Sequence, residues 1–278
     1  MGLLGGSLGM AARKLELCEE VVGVGRSQPA LEEARRLEAI DRAVTDAVEG
    51  VADADLVVLC TPVRHIIEVL PDLIRPAKPG TVFTDVGSTK GSIVRIGQEA
   101  AAKNGCFFVG AHPMAGSEKS GVRHSRADLY EDSTCFVIKT RETDMGAFAR
   151  VSSLWHALGA RIVIARPERH DQLVASISHL PHVVAVALVR AVEQFSEDKN
   201  LIKGIIGNGF RDTTRIACGD TRMWEDICTD NHQQIERAQQ ALYTALNELI
   251  GACGANNGEK LRAILDDACE YRSFLDNR

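Results

Sequence analysis

At 278 residues the chain is long enough for two domains, because single hydrophobic cores rarely grow beyond about 250 residues. Its composition, 45% hydrophobic, 25% charged and 5% aromatic, is that of an ordinary water-soluble globular protein. A formal net charge of -6 excludes a nucleic-acid partner, since phosphate backbones call for a basic surface.

The first segment, Gly2-Leu3-Leu4-Gly5-Gly6-Ser7, matches the later part of a dinucleotide-binding loop, G-x-G-x-x-G. Gly2 stands as its second glycine, where pyrophosphate approaches the backbone, and Gly5 as its third, where helix and strand pack closely. Gly2, Leu3, Leu4 and Gly5 are therefore the expected phosphate cradle. A strand predicted over 20–24 ends in Val24-Gly25-Arg26-Ser27. An NAD enzyme ordinarily offers Asp or Glu here to the ribose 2′-hydroxyl. This chain has Gly25 instead, followed by Arg26 and Ser27, and a guanidinium suits a phosphate monoester in charge and forked shape. NADP is the favoured cofactor, with NAD the other candidate.

Further strands are predicted at 43–45, 55–60, 81–85, 106–109, 134–138 and 161–165, with helices at 29–38, 63–74, 90–103 and 144–158. This alternation, with continuously apolar strands, is the pattern of a parallel sheet covered on both faces. Gly80, Gly105 and Gly159 sit where helices hand over to strands. Residues 1–166 thus read as a doubly wound, Rossmann-like α/β domain. Thr61 and Pro62 follow the 55–60 strand at its carboxyl end, where such sheets bind ligands, and join the cofactor candidates. A Rossmann domain opens with a strand of about five or six residues ahead of its glycine loop. Here Met1 already stands between the first and second loop glycines. The first strand is missing from the pattern, so a functional protein is expected to start about ten residues or more upstream. For the 278-residue chain itself, weak cofactor binding and a marginal first domain are expected.

After Pro167 the pattern becomes helix alone. A helix is predicted over 168–195, too long for a strand, and its 183–189 stretch is apolar on every side. Such a helix must be buried, and about 110 residues offer little interior for it. Residues 167–278 are therefore read as an all-α dimerisation domain of a helix-exchanging homodimer. Among the eight cysteines no two are closer than ten residues, so neither a CxxC pair nor a paired-ligand zinc site is present. They read as reduced thiols of a cytoplasmic protein. No basic-then-apolar leader and no uninterrupted apolar run near eighteen residues suggests a membrane partner.

Four polar segments carry the chemistry. They are Asp85-Val86-Gly87-Ser88-Thr89-Lys90, Gly110-Ala111-His112-Pro113-Met114-Ala115-Gly116-Ser117-Glu118, Ser178-His179-Leu180-Pro181-His182 and Gly209-Phe210-Arg211-Asp212-Thr213-Thr214-Arg215. His112, between glycine and proline, reads as an imidazole aimed from a rigid turn, able to take a proton at neutral pH. Asp85 and Ser88 are also residue types that cap the helix starting near Thr89, and Ser88 can do both jobs. His179 and His182 share a helix face, but no third ligand follows and HxxH lacks a zincin glutamate, so no metal is expected. Arg211 and Arg215, with Phe210, Thr213 and Thr214, read as a partly buried helix face.

Together these segments resemble the prephenate and arogenate dehydrogenase family of tyrosine biosynthesis, along nearly the whole chain. The resemblance implies oxidative decarboxylation of prephenate to 4-hydroxyphenylpyruvate, with a hydride passed to NAD(P); arogenate as substrate is the alternative. It implies that His112 accepts the hydrogen bond of the ring hydroxyl and that Ser88 bridges hydroxyl and cofactor. Arg215 would clamp a substrate carboxylate, His179 and His182 would line the pocket, and Glu118, Asp212 and Trp224 would stand near its entrance. Two rivals remain. One is an NADP-linked β-hydroxyacid dehydrogenase, which would need a helical lysine in a motif not seen here. The other is a cofactor-binding regulatory protein without turnover, against which the joint presence of Ser88, His112 and Arg215 speaks.

Overall fold

Helix α1 (Leu3–Lys14) begins directly after Gly2, and an α/β alternation follows it. In order come β1 (Val22–Val24), α2 (Gln28–Arg36), β2 (Arg42–Val44), α3 (Ala47–Ala52), β3 (Leu56–Leu59), α4 (Val63–Ile74), β4 (Val82–Asp85), α5 (Gly91–Lys103), β5 (Phe107–Phe108), β6 (Ala111–Pro113), β7 (Thr134–Ile138), α6 (Met145–Ala157) and β8 (Arg161–Ala165). The computed structural model describes residues 1–116, 119–195, 198–254 and 257–276. Its contacts divide the chain into two units, Met1–His232 and Gln233–Arg278.

The strands form three ladders: β1-β2, β3-β4-β5 and β6-β7-β8. All pairings are parallel except β6 with β7, which is antiparallel and sets His112 opposite Phe136. Helices cover both faces. On one side Trp155, Phe148 and Val151 of α6 pack with Tyr130, Val82 and Val137. On the other, α4 buries Val63, Ile66, Leu70 and Ile74, one face at helical spacing, against Phe83, Ile93 and Phe108. Gly80, Gly105 and Gly159 all have positive φ (88°, 67° and 84°), which lets the chain leave a helix sharply for the next strand. Among the described residues no ladder joins β1-β2 to β3-β4-β5. Helix α1 touches both sides of this break: a Cβ on Gly5 would stand 3.3 Å from Cys60, and one on Gly9 would collide with the Ala39 carbonyl.

The rest of the first unit is helical. Helix α7 (Pro167–Val174) passes through a π-helical turn, Ala175–His179, into α8 (Leu180–Phe195). There follow α9 (Lys199–Ile205), α10 (Asn208–Thr214), a 3-10 turn Arg215–Cys218, and α11 (Thr221–Asp230). Helix α7 buries Pro167, His170, Asp171 and Val174, and Val174 enters the core beside Ile66 and Ile93. Within the single chain the apolar 183–189 stretch is only partly covered. In α8 only His182 and Ala185 are buried, while Val186, Leu188 and Val189 are exposed, because no element of the unit covers them. By length and a mean hydropathy of 1.6 over its best window, Pro167–Phe195 could cross a membrane, yet it carries the buried polar residues His170, Asp171, His179 and His182. The second unit holds most of α12 (His232–Gly254) and all of α13 (Gly258–Asp276), both with exposed apolar side chains such as Leu246, Ile250, Phe274 and Leu275.

Candidate active site

Strand β4 delivers Asp85 to a turn that runs to Lys90. Both side chains are fully buried and form an ion pair. Asp85 also accepts from the N–H of Gly87 (2.8 Å) and of Ala111 (3.2 Å), and Lys90 Nζ donates to the Ala111 carbonyl (2.8 Å). Two opposite charges thus grip both backbone polar groups of the residue before His112. A buried pair survives desolvation only when its remaining hydrogen-bonding capacity is filled, as it is here. Burial pushes the Asp85 carboxyl up, and the Lys90 ammonium with the two N–H donors pulls it back.

His112 follows on β6, and a relay begins at its ring. Its Nδ1 lies 2.8 Å from Nε2 of His170, whose Nδ1 lies 2.8 Å from Oδ1 of Asp171. The Asp171 carboxylate receives two more hydrogen bonds, from the N–H of Lys90 to Oδ1 and of Gly91 to Oδ2, both 2.8 Å. It therefore caps α5 and sits at the positive end of that helix. Burial pushes the Asp171 carboxyl up and those N–H donors oppose the shift; with a backbone N–H bonded to each of its oxygens, the side chain serves as an acceptor. The tautomers follow in sequence. Asp171 requires a proton on His170 Nδ1; neutral His170 then accepts at Nε2, so His112 must donate from Nδ1. Nε2 of His112 is left with a bare lone pair. Burial, reinforced by the Lys90 ammonium and by the other rings of the cluster, which resist a second positive charge, holds the His112 pKa well below 6.5, and burial with Lys90 lowers His170 likewise. The edge of Phe136 packs against His170 with ring centroids 5.0 Å apart and fixes its plane.

A second cluster lies on the helical side. Asn231, which closes α11, donates from Nδ2 to the Asp171 carbonyl (2.9 Å) and contacts Nδ1 of His179 (3.1 Å). His182 stacks on Trp224 with centroids 3.5 Å apart and planes 9° from parallel. Burial lowers the His182 pKa and the Ile216 backbone, next to Arg215, opposes the shift, while Nδ1 of the ring is buried without a partner among the described residues. Gly219 permits this stacking, because a Cβ there would stand 2.4 Å from the Trp224 indole nitrogen. A further carboxylate, Asp226 of α11, accepts from the Arg64 N–H in the first turn of α4 (3.2 Å). Helices α4 and α5 are thus each capped by an aspartate from the helical segment.

At the nucleotide side, α1 starts at Gly2 with no side-chain cap, no acidic residue in its first turn and open space beside Gly2. Uncapped N–H groups at a helix start form a natural seat for phosphate. The donor set fits a dinucleotide.

Two family profiles match the chain: "Prephenate dehydrogenase, nucleotide-binding domain" over residues 8–164 and "Prephenate dehydrogenase, dimerization domain" over residues 166–267. The chain belongs to the prephenate dehydrogenase family. A prephenate dehydrogenase of Bacillus subtilis is 34% identical over 276 residues, which is 99% of this chain and 74% of that protein. A cyclohexadienyl dehydrogenase of Zymomonas mobilis is 30% identical over 264 residues, 94% of this chain and 89% of its own length. The crystal structure of an Aquifex aeolicus prephenate dehydrogenase with hydroxyphenyl propionate and NAD+ superposes with a TM-score of 0.92 at 31% identity, covering 99% of this chain and 95% of that one.

Against this prephenate dehydrogenase family frame, the structure links His112, His179, His182 and Trp224 through His170, Asp171 and Asn231. His112 stands on a short strand, not on a turn, because its backbone pairs with Phe136. Ser88 is half-buried in the Asp85–Lys90 turn and makes no hydrogen bond among the described residues. Neither Asp85 nor Ser88 caps α5. The helix starts at Gly91, and Asp171 caps it from across the fold. Leu3 and Leu4 belong to the first turn of α1, so any phosphate contact there is through the backbone. Ser27 caps α2, accepting from the Ala30 N–H (3.4 Å), which leaves its hydroxyl proton free; Arg26 beside it is exposed. Thr61 is exposed, and Pro62 opens α4 with its carbonyl accepting from Ile66 (3.0 Å). Arg211, Asp212 and Arg215 are exposed, not partly buried; in this segment, which packs on α8, Thr214 is buried and Phe210 half-buried. Glu118 lies outside the described residues. Sequence reasoning missed His170, Asp171 and Asn231. The adjacent His-Asp pair one turn into a proline-started helix was the available signal for the first two.

Proposed function

We propose that this chain is an NAD(P)-dependent prephenate dehydrogenase, carrying out the oxidative decarboxylation of prephenate to 4-hydroxyphenylpyruvate. The observation that carries the reading is the Asp171–His170–His112 relay, which ends in an unprotonated Nε2. Such an imidazole is an acceptor for a hydroxyl proton.

When bound, the nicotinamide supplies the hydride acceptor. The chain's own residues do the rest. As hydride leaves the ring carbon bearing the hydroxyl, that C–O bond gains double-bond character and its proton becomes acidic. His112 Nε2 accepts the hydrogen bond, and positive charge building on the imidazole is offset through His170 by the Asp171 carboxylate. Carbon dioxide departs, and its bonding electrons complete the aromatic ring. The product keeps its hydroxyl as a phenol, so no net proton has to leave the site. In this reading Ser88 orients the hydroxyl beside the cofactor, Arg215 holds a substrate carboxylate, and His179, His182, Trp224 and Asp212 border the pocket.

The cofactor binds over the start of α1, with Gly2, Leu3, Leu4, Gly5, Thr61 and Pro62 around it. NADP is preferred over NAD, because exposed Arg26 and the free Ser27 proton suit a 2′-phosphate. Residues 1–166 bind the dinucleotide, and residues 167–278 complete the substrate pocket and form a homodimer in the cytoplasm. Support for the dimer comes from the open apolar residues Val186, Leu188 and Val189 and from the family description of residues 166–267. Paired assays with prephenate and arogenate, following NAD(P)H formation, test the reading. Turnover of prephenate supports it, turnover of arogenate alone moves it to the sister activity, and turnover of neither overturns it.

A further inference from the structure

Asn231 is 4% exposed, and nothing in its sequence setting marks it. Its Nδ2 contacts two atoms, the Asp171 carbonyl oxygen and Nδ1 of His179. A carbonyl oxygen can only accept, so the atom facing it is the NH2 end of the amide. An amide NH2 has no lone pair to offer a ring N–H. Nδ1 of His179 is therefore the acceptor, and the single proton of a neutral ring lies on Nε2. Among the described residues the His179 ring is hydrogen-bonded at Nδ1, which leaves the Nε2 N–H available to a ligand. His179 is 1% exposed, which opposes the imidazolium form.

We infer that Asn231 is a positioning residue that fixes His179 as a neutral imidazole with its proton on Nε2, so that the pocket presents there an N–H donor. The consequence for substrate rests on the proposed function; the tautomer rests on the hydrogen bonds alone. His112 and His179 then have opposite polarity, one offering a lone pair and the other a proton. A neutral donor suits a carboxylate or ketone oxygen of the substrate and does not compete with His112 for the hydroxyl proton. Asn231 also bonds the residue that orients His170, so one side chain ties the donor to the relay. The groups that act on His179 are Asp171 of α7, which favours the charged ring, and His182 of α8, which disfavours it; the rings of His112 and His170 sense its charge in turn. Trp224 of α11 meets it edge-on at 6.2 Å.

The test is 15N NMR of histidine-labelled full-length protein, with the His179 signals assigned through His179→Gln. The wild type should show the Nε2–H tautomer at neutral pH. Asn231→Asp puts an anionic acceptor against Nδ1, so the proton should move there and the His179 pKa should rise by roughly 1–3 units. The pH profile of kcat/KM should then gain an ionisation absent from wild type. A wild-type ring protonated on Nδ1, or an Asn231→Asp ring whose signals do not move in a folded protein, would overturn the inference. If Asn231→Asp does not fold, the wild-type tautomer decides alone. Expected His179 signals in a protein that fails to oxidise prephenate would retire the functional reading and leave this one standing.

Discussion

Asp171 never touches His112, yet it decides which nitrogen of His112 carries the proton, through the 2.8 Å contacts on either side of His170. The same carboxylate caps α5. Helix geometry and acid–base polarity are therefore set by one side chain.

Asp171→Asn should separate these roles. An asparagine can keep a cap bond with its carbonyl while turning its NH2 toward His170. His170 would then donate from Nε2, and His112 would present an N–H where a lone pair is needed. We expect kcat to fall by roughly 10²- to 10⁴-fold with little change in stability. Asp171→Ala should in addition lose about 0.5–2 kcal/mol of stability with the cap. Steady-state kinetics with urea denaturation separates the two, and an unchanged kcat in Asp171→Asn would remove the relay from the mechanism.

Much of this architecture is legible in the sequence where a residue's role is local. Helix α4 falls on the predicted 63–74, and β7 and β8 on 134–138 and 161–165, because apolar spacing alone defines them. Strand β6 was invisible: three residues that follow a glycine and end in a proline carry no period. Helix α3, six residues long, is too short to show one. The relay was hidden for a different reason. His170 joins His112 only because tertiary packing sets α7 against α5, and no spacing rule connects those positions. The cap of α5 was sought in the adjacent residues Asp85 and Ser88, and came instead from a carboxylate brought in by tertiary packing.

Acid should destabilise the fold before the carboxylates are fully protonated. His112, His170 and His179 are buried with pKa values below the unfolded 6.5, about 4 for His179. Such groups bind fewer protons folded than unfolded, so their full contribution is present above about pH 6.5 and is lost as pH falls toward the native values. Asp85 and Asp171, raised by burial, act in the opposite direction but are fewer. The urea midpoint should therefore drop between pH 7.5 and 5, and His179→Gln should flatten that drop. A midpoint independent of pH would contradict buried neutral imidazoles.

Arg26→Ala should weaken NADP use and leave NAD use nearly unchanged, because only the 2′-phosphate gives the exposed guanidinium a partner. kcat/KM with each cofactor checks this, and equal losses would mean that Arg26 does not read the phosphate.

Arg215→Ala should raise KM for prephenate roughly ten- to a hundredfold, the equivalent of about 1.5–3 kcal/mol for a lost charge-assisted contact. Arg215→Lys should be impaired as well, since a point charge cannot replace the fork. Arg215 is exposed and has no ion pair among the described residues, so neither change should move the melting temperature. An unchanged KM in a folded Arg215→Ala protein would rule out the clamp.

The most direct measurement is the steady-state kcat of His112→Asn with saturating prephenate and cofactor. The account predicts a fall of roughly 10²- to 10⁴-fold, the usual worth of a positioned acid–base group, with cofactor affinity little changed. A His112→Asn enzyme that turns prephenate over near the wild-type rate would contradict it.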